Sequence, residues 1–359
     1  MIIKNLDLYN FRNYVKGTAV FSDGLNIIVG KNAQGKTNLI EGIYLLATGT
    51  SPRIASDKGL IRKGETRARV TALMENSGGE FEVEMILSKS EKKCASINGL
   101  PIAKIGELIG NVRAIYFSPD EMSLIKDSPD FRRRFMDIDL SQVNRSYFYT
   151  LNKYNKILRQ RNALLKDESS EKIRATLPVW DEQLAREGAK LIVARREFCK
   201  DLSEEAARIH SLIAPDEKLF AEYSTSVESD EEDGIAFELR EKLFKAIERD
   251  TYLKFTSVGP QRDDIKITLS GEDVRTFGSQ GQQRTATLSL KLAEIAIFEK
   301  LTGEKPILLL DDVMSELDGD RKERLLAACE GGQTIVTTTD GDGISGGNRI
   351  KIEDGKITE

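Results

Sequence analysis

The chain has 359 residues, 53 of them basic and 58 acidic, for a formal charge of −5, and 40% of it is apolar. That composition supports two or three packed domains and excludes a disordered polyelectrolyte, and no run approaches the 18 or more apolar residues of a membrane span. Cys94, Cys199 and Cys329 are too scattered for a disulfide framework or thiolate zinc site, the single His210 excludes a multi-histidine metal site, and MIIKNLDLYNFRNY lacks an export pattern; a cytoplasmic chain is expected.

Short strands open the chain. Leu25-Asn-Ile-Ile-Val29 is a compact apolar run that ends in Gly30, and 81–87 and 112–117 are similar. Between them lies a basic cluster of Arg53, Lys58, Arg62, Lys63, Arg67 and Arg69, against Asp57 and Glu65. A second and longer basic stretch follows, ten cations against four acids from Lys126 to Lys166. Helical spacing starts there. Tyr147, Leu151, Tyr154, Leu158 and Leu165 form one stripe, with Arg161 at the one missing apolar position, and Leu184, Leu191, Phe198, Leu202, Ile209 and Ile213 form another. Each predicts a helix of about 25–30 residues, roughly 40–45 Å long. Leu177-Pro-Val predicts a break between them, and His210 reads as an ordinary residue of the second. The acidic run from Asp216 to Asp233 reads as a solvated loop. Strands return at 265–269, 307–310 and 334–339. The expected fold class is α/β. Residues 1–120 and 256–359 would form one head, and 121–255 an inserted helical arm.

Gly30-Lys31-Asn32-Ala33-Gln34-Gly35-Lys36-Thr37 fits G-x-x-x-x-G-K-[ST], between an apolar strand and a helical run. Its glycines let the backbone wrap a phosphate, and the helix start adds positive potential. Lys36 can bridge the β- and γ-phosphates, and the Thr37 hydroxyl can ligate Mg²⁺. Ile307-Leu-Leu-Leu-Asp311-Asp312 supplies the carboxylates. Asp311 suits the metal, and Asp312 can orient or deprotonate the attacking water.

Ser279-Gln-Gly281-Gln282 then enters a helix one element before the aspartate strand, and Ser315-Glu-Leu-Asp318 follows that strand. In this order the motifs resemble those of ABC-type ATPases. The resemblance implies that Ser279, Gly281 and Gln282 contact the ATP held by a second copy, in a head-to-head dimer. Leu8-Tyr-Asn-Phe-Arg-Asn-Tyr14 is similar to the first-strand motif of the chromosome-maintenance branch, which implies that Arg12 approaches ATP. The stretches 117–137, 259–265 and 309–318 resemble the RecF family of bacterial recombination mediators, over essentially the whole chain. That family implies ATP and Mg²⁺, slow hydrolysis, an ATP-dependent homodimer, DNA, and the partners RecR and RecO. Three departures stand out. Thr337-Thr-Thr-Asp340 replaces the switch histidine of transporter ATPases, Asp312 replaces their glutamate, and Gln261 stands where the family has histidine.

Two other readings fit less well. A transporter ATPase subunit would carry the switch histidine and lack the long insert. A long-coiled-coil chromosome ATPase would need a far longer arm. For DNA contact the candidates are Arg53, Arg62 and Lys63, with Arg132, Arg133 and Arg134. An acidic chain can bind DNA through such local patches, because salt confines the field to about a Debye length.

Overall fold

The structure, a computed structural model, describes residues 1–166, 170–316, 319, 322, 325, 327, 330–339, 344 and 346–358. The chain forms two compact units. One joins Met1–Glu121 to Lys291–Glu359, and the other is Met122–Leu290.

The first unit holds two six-stranded sheets. One is antiparallel and runs Tyr14–Val20, Ile2–Phe11, Arg67–Asn76, Gly79–Ser88, Cys94–Ile97, Leu100–Pro101. Its strands alternate: Leu6 and Leu8 are buried while Asp7 and Tyr9 are exposed, so one face meets the core and the other meets water. The second sheet runs Lys356–Thr358, Asn348–Glu353, Leu25–Val29, Thr334–Thr338, Ile307–Asp311, Ala114–Phe117. All of its pairs are parallel except the one at the Lys356–Thr358 edge. Ile307–Asp311 and Ala114–Phe117 are buried at every position, which is why they read as unbroken apolar runs. Helix Lys36–Thr48 shares one core with both sheets: Leu39, Ile40, Ile43 and Leu46 join Leu6, Leu8 and Val70 of the first, and Ile28, Leu309 and Ile335 of the second.

The second unit is mostly helical, with helices Pro129–Val143, Arg145–Leu165, Ser170–Ile213, Glu232–Lys245 and Ile247–Leu253. A small antiparallel sheet pairs Asp264–Leu269 with both Leu219–Ser224 and Glu272–Asp273. Three expectations need correction here. The predicted break at Pro178 is absent, and Ser170–Ile213 is one helix of 44 residues, about 66 Å long. Proline removes one N–H, but burial of the neighbouring Leu177 and Asp181 holds the helix through it. The acidic run is not simply a loop. It contains strand Leu219–Ser224 and the start of helix Glu232–Lys245, where Glu232 and Asp233 favour the helix dipole. Finally, the second unit ends at Leu290 rather than 255, because strand Asp264–Leu269 pairs with Leu219–Ser224 and not with a head sheet.

Buried ion pairs tie this unit together. Arg161 is fully buried and bonds Asp181 at 2.6 Å, Asp250 at 2.7 Å and the Thr256 hydroxyl at 3.0 Å. Arg195 bonds Asp137 at 2.7 Å, the Tyr147 hydroxyl at 2.9 Å and the Pro260 carbonyl at 2.8 Å. Burial raises the Asp181 carboxyl above the usual aspartate range, against the pull of Arg161. Cys199 is buried and its thiol is pushed up to about 12 by desolvation, Cys94 is an exposed free thiol, and Cys329 lies outside the described residues.

Candidate nucleotide site

Both halves of the predicted site come from the parallel sheet. Thr334–Thr338 lies between Leu25–Val29 and Ile307–Asp311, with Thr338 opposite Val29 and Thr337 opposite Asp311. Gly30 and Asp312 therefore leave the same carboxyl edge, where ligands of open α/β sheets sit.

The loop after Leu25–Val29 is held from outside. Gly30 packs its α-carbon against the Ile352 carbonyl, leaving no room for a side chain. The Gln34 carbonyl accepts from Asn13 Nδ2 at 2.8 Å and from the Gly355 N–H at 3.2 Å, while the Gln34 side chain accepts from the Asp354 N–H. The Tyr14 hydroxyl donates to the Gly35 carbonyl at 2.9 Å. Gly35 has φ 118°, and a Cβ there would lie 2.7 Å from Asn13. Nothing in the sequence motif points to Asn13, Tyr14 or the 354–355 turn as supports. Lys31, Asn32 and Ala33 are exposed at the loop's crest, Ala33 with φ 65°. No side chain caps helix Lys36–Thr48, and its first turn carries no acid, so its first N–H groups are available to an anion.

Lys36 is 5% exposed and donates to the Gly30 carbonyl at 2.7 Å and the Lys31 carbonyl at 3.3 Å. Thr37 Oγ1 donates to Asp311 Oδ1 at 3.0 Å, so the two predicted metal ligands meet across 274 residues of sequence. Thr337 Oγ1 donates to the same oxygen at 2.8 Å, and the Tyr116 hydroxyl to Asp311 Oδ2 at 3.0 Å. Burial and Asp311 both raise the Tyr116 pKa, which keeps it a proton donor. Tyr116 was missed in the sequence; its only signal is a place on a strand that pairs with the aspartate strand. Asp312 turns out of the sheet with φ 55°, its N–H on Thr337 Oγ1 at 2.9 Å. Its carboxyl is raised above the usual aspartate range by burial, with Asp311 adding and Lys36 opposing.

Arg12 is held beside the helix that follows the phosphate loop. Its guanidinium forms a two-bond pair with Glu41, at 2.7 and 2.6 Å, and a third bond to the Gly59 carbonyl at 3.1 Å. Glu41 is fully buried in the helix after the P-loop, and a carboxylate there needs a cation. A lone acid in Leu39-Ile-Glu-Gly-Ile43 was the available signal. Arg12 thus braces that helix through Glu41.

Ser279, Gly281 and Gln282 belong to the second unit. The Ser279 N–H donates to Gln282 Oε1 at 2.9 Å and the Gln282 N–H to Ser279 Oγ at 3.3 Å, a capping box at the start of helix Gln280–Thr302. Ser279 and Gly281 are exposed. Gln282 Nε2 also donates to Glu217 at 2.9 Å, and Glu217 meets His210 at 3.2 Å, whose other nitrogen lies 3.1 Å from Ser289 Oγ. His210 is therefore no ordinary helix residue but a buried anchor of helix Gln280–Thr302, and burial lowers its pKa. In the segment after the aspartate strand, Leu317 and Asp318 lie outside the described residues, as does Asp340.

Two of the arm arginines are corrected as DNA candidates. Arg132 is 5% exposed, paired twice with Asp264 at 2.6 and 2.8 Å and bonded to the Leu124 and Asp127 carbonyls. Arg133 bonds the Asp263 carbonyl and Asp130, each at 2.5 Å. Both fold the second unit. Arg134 is exposed. In the first unit Arg53 and Lys63 are exposed and Arg62 is half-buried; Arg53 donates to Asn38 Oδ1 at 3.2 Å.

The RecF/RecN/SMC N-terminal domain family matches residues 2–351. A DNA replication and repair protein RecF from Agathobacter rectalis is 46% identical, over 94% of this chain and 92% of that protein. One from Clostridium tetani is 38% identical over the full length of both. The solved structure of the recombination mediator RecF with ATP, of the RecFOR pathway, matches with a TM-score of 0.93 at 38% identity, covering 99% of this chain and 96% of that one. A chromosome-maintenance (Smc) head bound to part of ScpA shares the fold at a TM-score of 0.57 and 17% identity, covering 100% of this chain and 97% of that one. With an ABC-type head built from both chain ends and these relatives over nearly every residue, the chain belongs to the RecF family of ATPases.

Proposed function

We propose that this chain is an ATP-dependent DNA-binding protein of recombinational gap repair, replication and SOS induction. ATP brings two copies together head to head on DNA, slow hydrolysis releases them, and RecO and RecR share in loading the recombinase. The observation that carries this reading is the 3.0 Å contact between Thr37 and Asp311, which joins the phosphate loop to the aspartate strand at one sheet edge.

The donor set fits ATP with Mg²⁺. Thr37 and Asp311 are hard oxygen ligands suited to Mg²⁺, which characteristically takes few protein ligands and completes its shell with phosphate and water. The ion would supply charge neutralisation at the phosphates. Lys36 would exchange its two loop carbonyls for phosphate oxygens. Asp312 accepts the proton of the attacking water, from a carboxylate one methylene shorter than glutamate, which suits a slow switch better than a motor. Ser279 and Gly281, exposed at a helix start, face the γ-phosphate of the other copy.

The test is Asp312→Asn beside Ser279→Arg, read by light scattering and single-turnover hydrolysis. Asp312→Asn should bind ATP and dimerise, with the chemical step about 10²–10⁴ slower. Ser279→Arg should bind ATP as a monomer and fail to dimerise. Hydrolysis at the usual rate in the first would remove Asp312 as the base. Loss of monomer ATP affinity beyond about tenfold in the second would mean that the loop acts on its own subunit.

A further inference from the structure

Two segments that are separate in sequence meet on the first unit. The turn 88–93 carries Lys89, Lys92 and Lys93, and it lies outside the basic cluster between Arg53 and Arg69. Folding docks it there. Lys93 Nζ donates to the Gly49 carbonyl at 2.6 Å and pairs with Asp57 at 2.9 Å. The Lys89 N–H bonds the Thr66 carbonyl at 3.0 Å, and Arg67 pairs with Glu91 at 2.8 Å. A groove of about 540 Å³ opens between the two segments, with Lys58, Lys92 and Lys93 among its lining.

These pairings engage the local acids. Asp57 is held by Lys93, Glu91 by Arg67, and Glu65 stands 4.0 Å from Arg62. Lys58, Lys89 and Lys92 are exposed, and none has a carboxylate within salt-bridge distance among the described residues. Gathering like charges opposes folding unless an anion settles on them. The two segments, 49–66 and 88–93, contain no aromatic residue. Base stacking, on which single-strand binding relies, has no platform there.

We propose that this composite face takes the sugar–phosphate backbone of duplex DNA, through Lys58, Lys89 and Lys92 with Arg53 and Lys63 beside them. The proposal rests on the DNA-binding reading above and deepens it, by choosing the surface and the form of DNA. Binding through phosphates alone is blind to sequence and sensitive to salt.

The test is the triple variant Lys58→Gln, Lys89→Gln, Lys92→Gln, with a triple Lys→Arg variant at the same positions. Binding of a labelled mixed-sequence duplex and of an oligo-dT strand is followed against salt, in ATP. The glutamine variant should lose at least tenfold in duplex affinity, and its plot of log K against log salt should flatten by roughly 0.9 for each phosphate no longer neutralised. The arginine variant should bind as the unmodified chain does, and ATP-driven dimerisation should be intact in both. A glutamine variant with the original duplex slope overturns the proposal, as does an equal loss on oligo-dT. If the unmodified chain binds neither DNA in ATP, the DNA-binding reading falls first and this surface with it.

Discussion

The chain carries two basic stretches, and folding draws on them to different depths: it buries Arg132 and Arg161 of the longer one and no cation of the shorter. Between Lys126 and Lys166 the cations are more numerous, yet the structure consumes several of them: Arg132 on Asp264, Arg133 on Asp263 and Asp130, Arg161 on Asp181 and Asp250. Between Arg53 and Arg69 the cations are fewer, yet most stay exposed and the 88–93 turn adds to them. Positive charge along a sequence says little about positive charge on a surface. What decides is whether acids far away in the chain are brought home to it, and in the second unit they are.

The sharpest way to break this comparison is Arg161→Met. It strands two carboxylates in the interior, and losing one partner of such a cluster costs about 3–5 kcal/mol. Urea unfolding should show that loss; a change within experimental scatter would mean that the cluster contributes little. Arg132→Gln comes next. Its partner Asp264 is 30% exposed on its side chain, so the loss is smaller, about 2 kcal/mol. The salt dependence of duplex binding should stay as it was, and a flatter slope would return Arg132 to the DNA surface. Lys63→Gln is the mirror image and the smallest effect. Stability should move by no more than about 0.5 kcal/mol, while the salt slope drops by about 0.9. A variant that melts early with its slope intact would invert the contrast.

The phosphate site was legible because its parts are contiguous. Eight residues of loop, an apolar strand before them and a helix after them announce the chemistry without any knowledge of neighbours. The aspartate strand was legible for the same reason, since burial on both faces writes itself as an unbroken apolar run. Pairings were not legible. Arg132 needs an acid 132 residues on, and Arg161 one 89 residues on, with no local mark of either. Arg161 in an otherwise apolar stripe was a visible clue, as was Glu41 in the helix after the P-loop; each is a charge that only a buried partner can explain. The extent of the second unit was hidden because a strand looks the same whichever sheet it joins, and Asp264–Leu269 joins Leu219–Ser224.

The 354–355 turn that touches the phosphate loop sets a schedule for the ribosome. Gln34 cannot take its bond from Asp354 until 320 more residues have been made, and strand Leu25–Val29 has both its neighbours, Thr334–Thr338 and Asn348–Glu353, near the far end. At about 5–20 residues per second that is a wait of roughly 16–64 s. The second unit, whose strand partners all lie within Met122–Leu290, can fold during that interval. A stalled or truncated nascent chain would then carry a finished arm and an open parallel sheet. The strand that leads to the phosphate loop would be unpaired on both sides and exposed to chaperones and proteases. Competence for nucleotide is thus among the last properties the growing chain acquires.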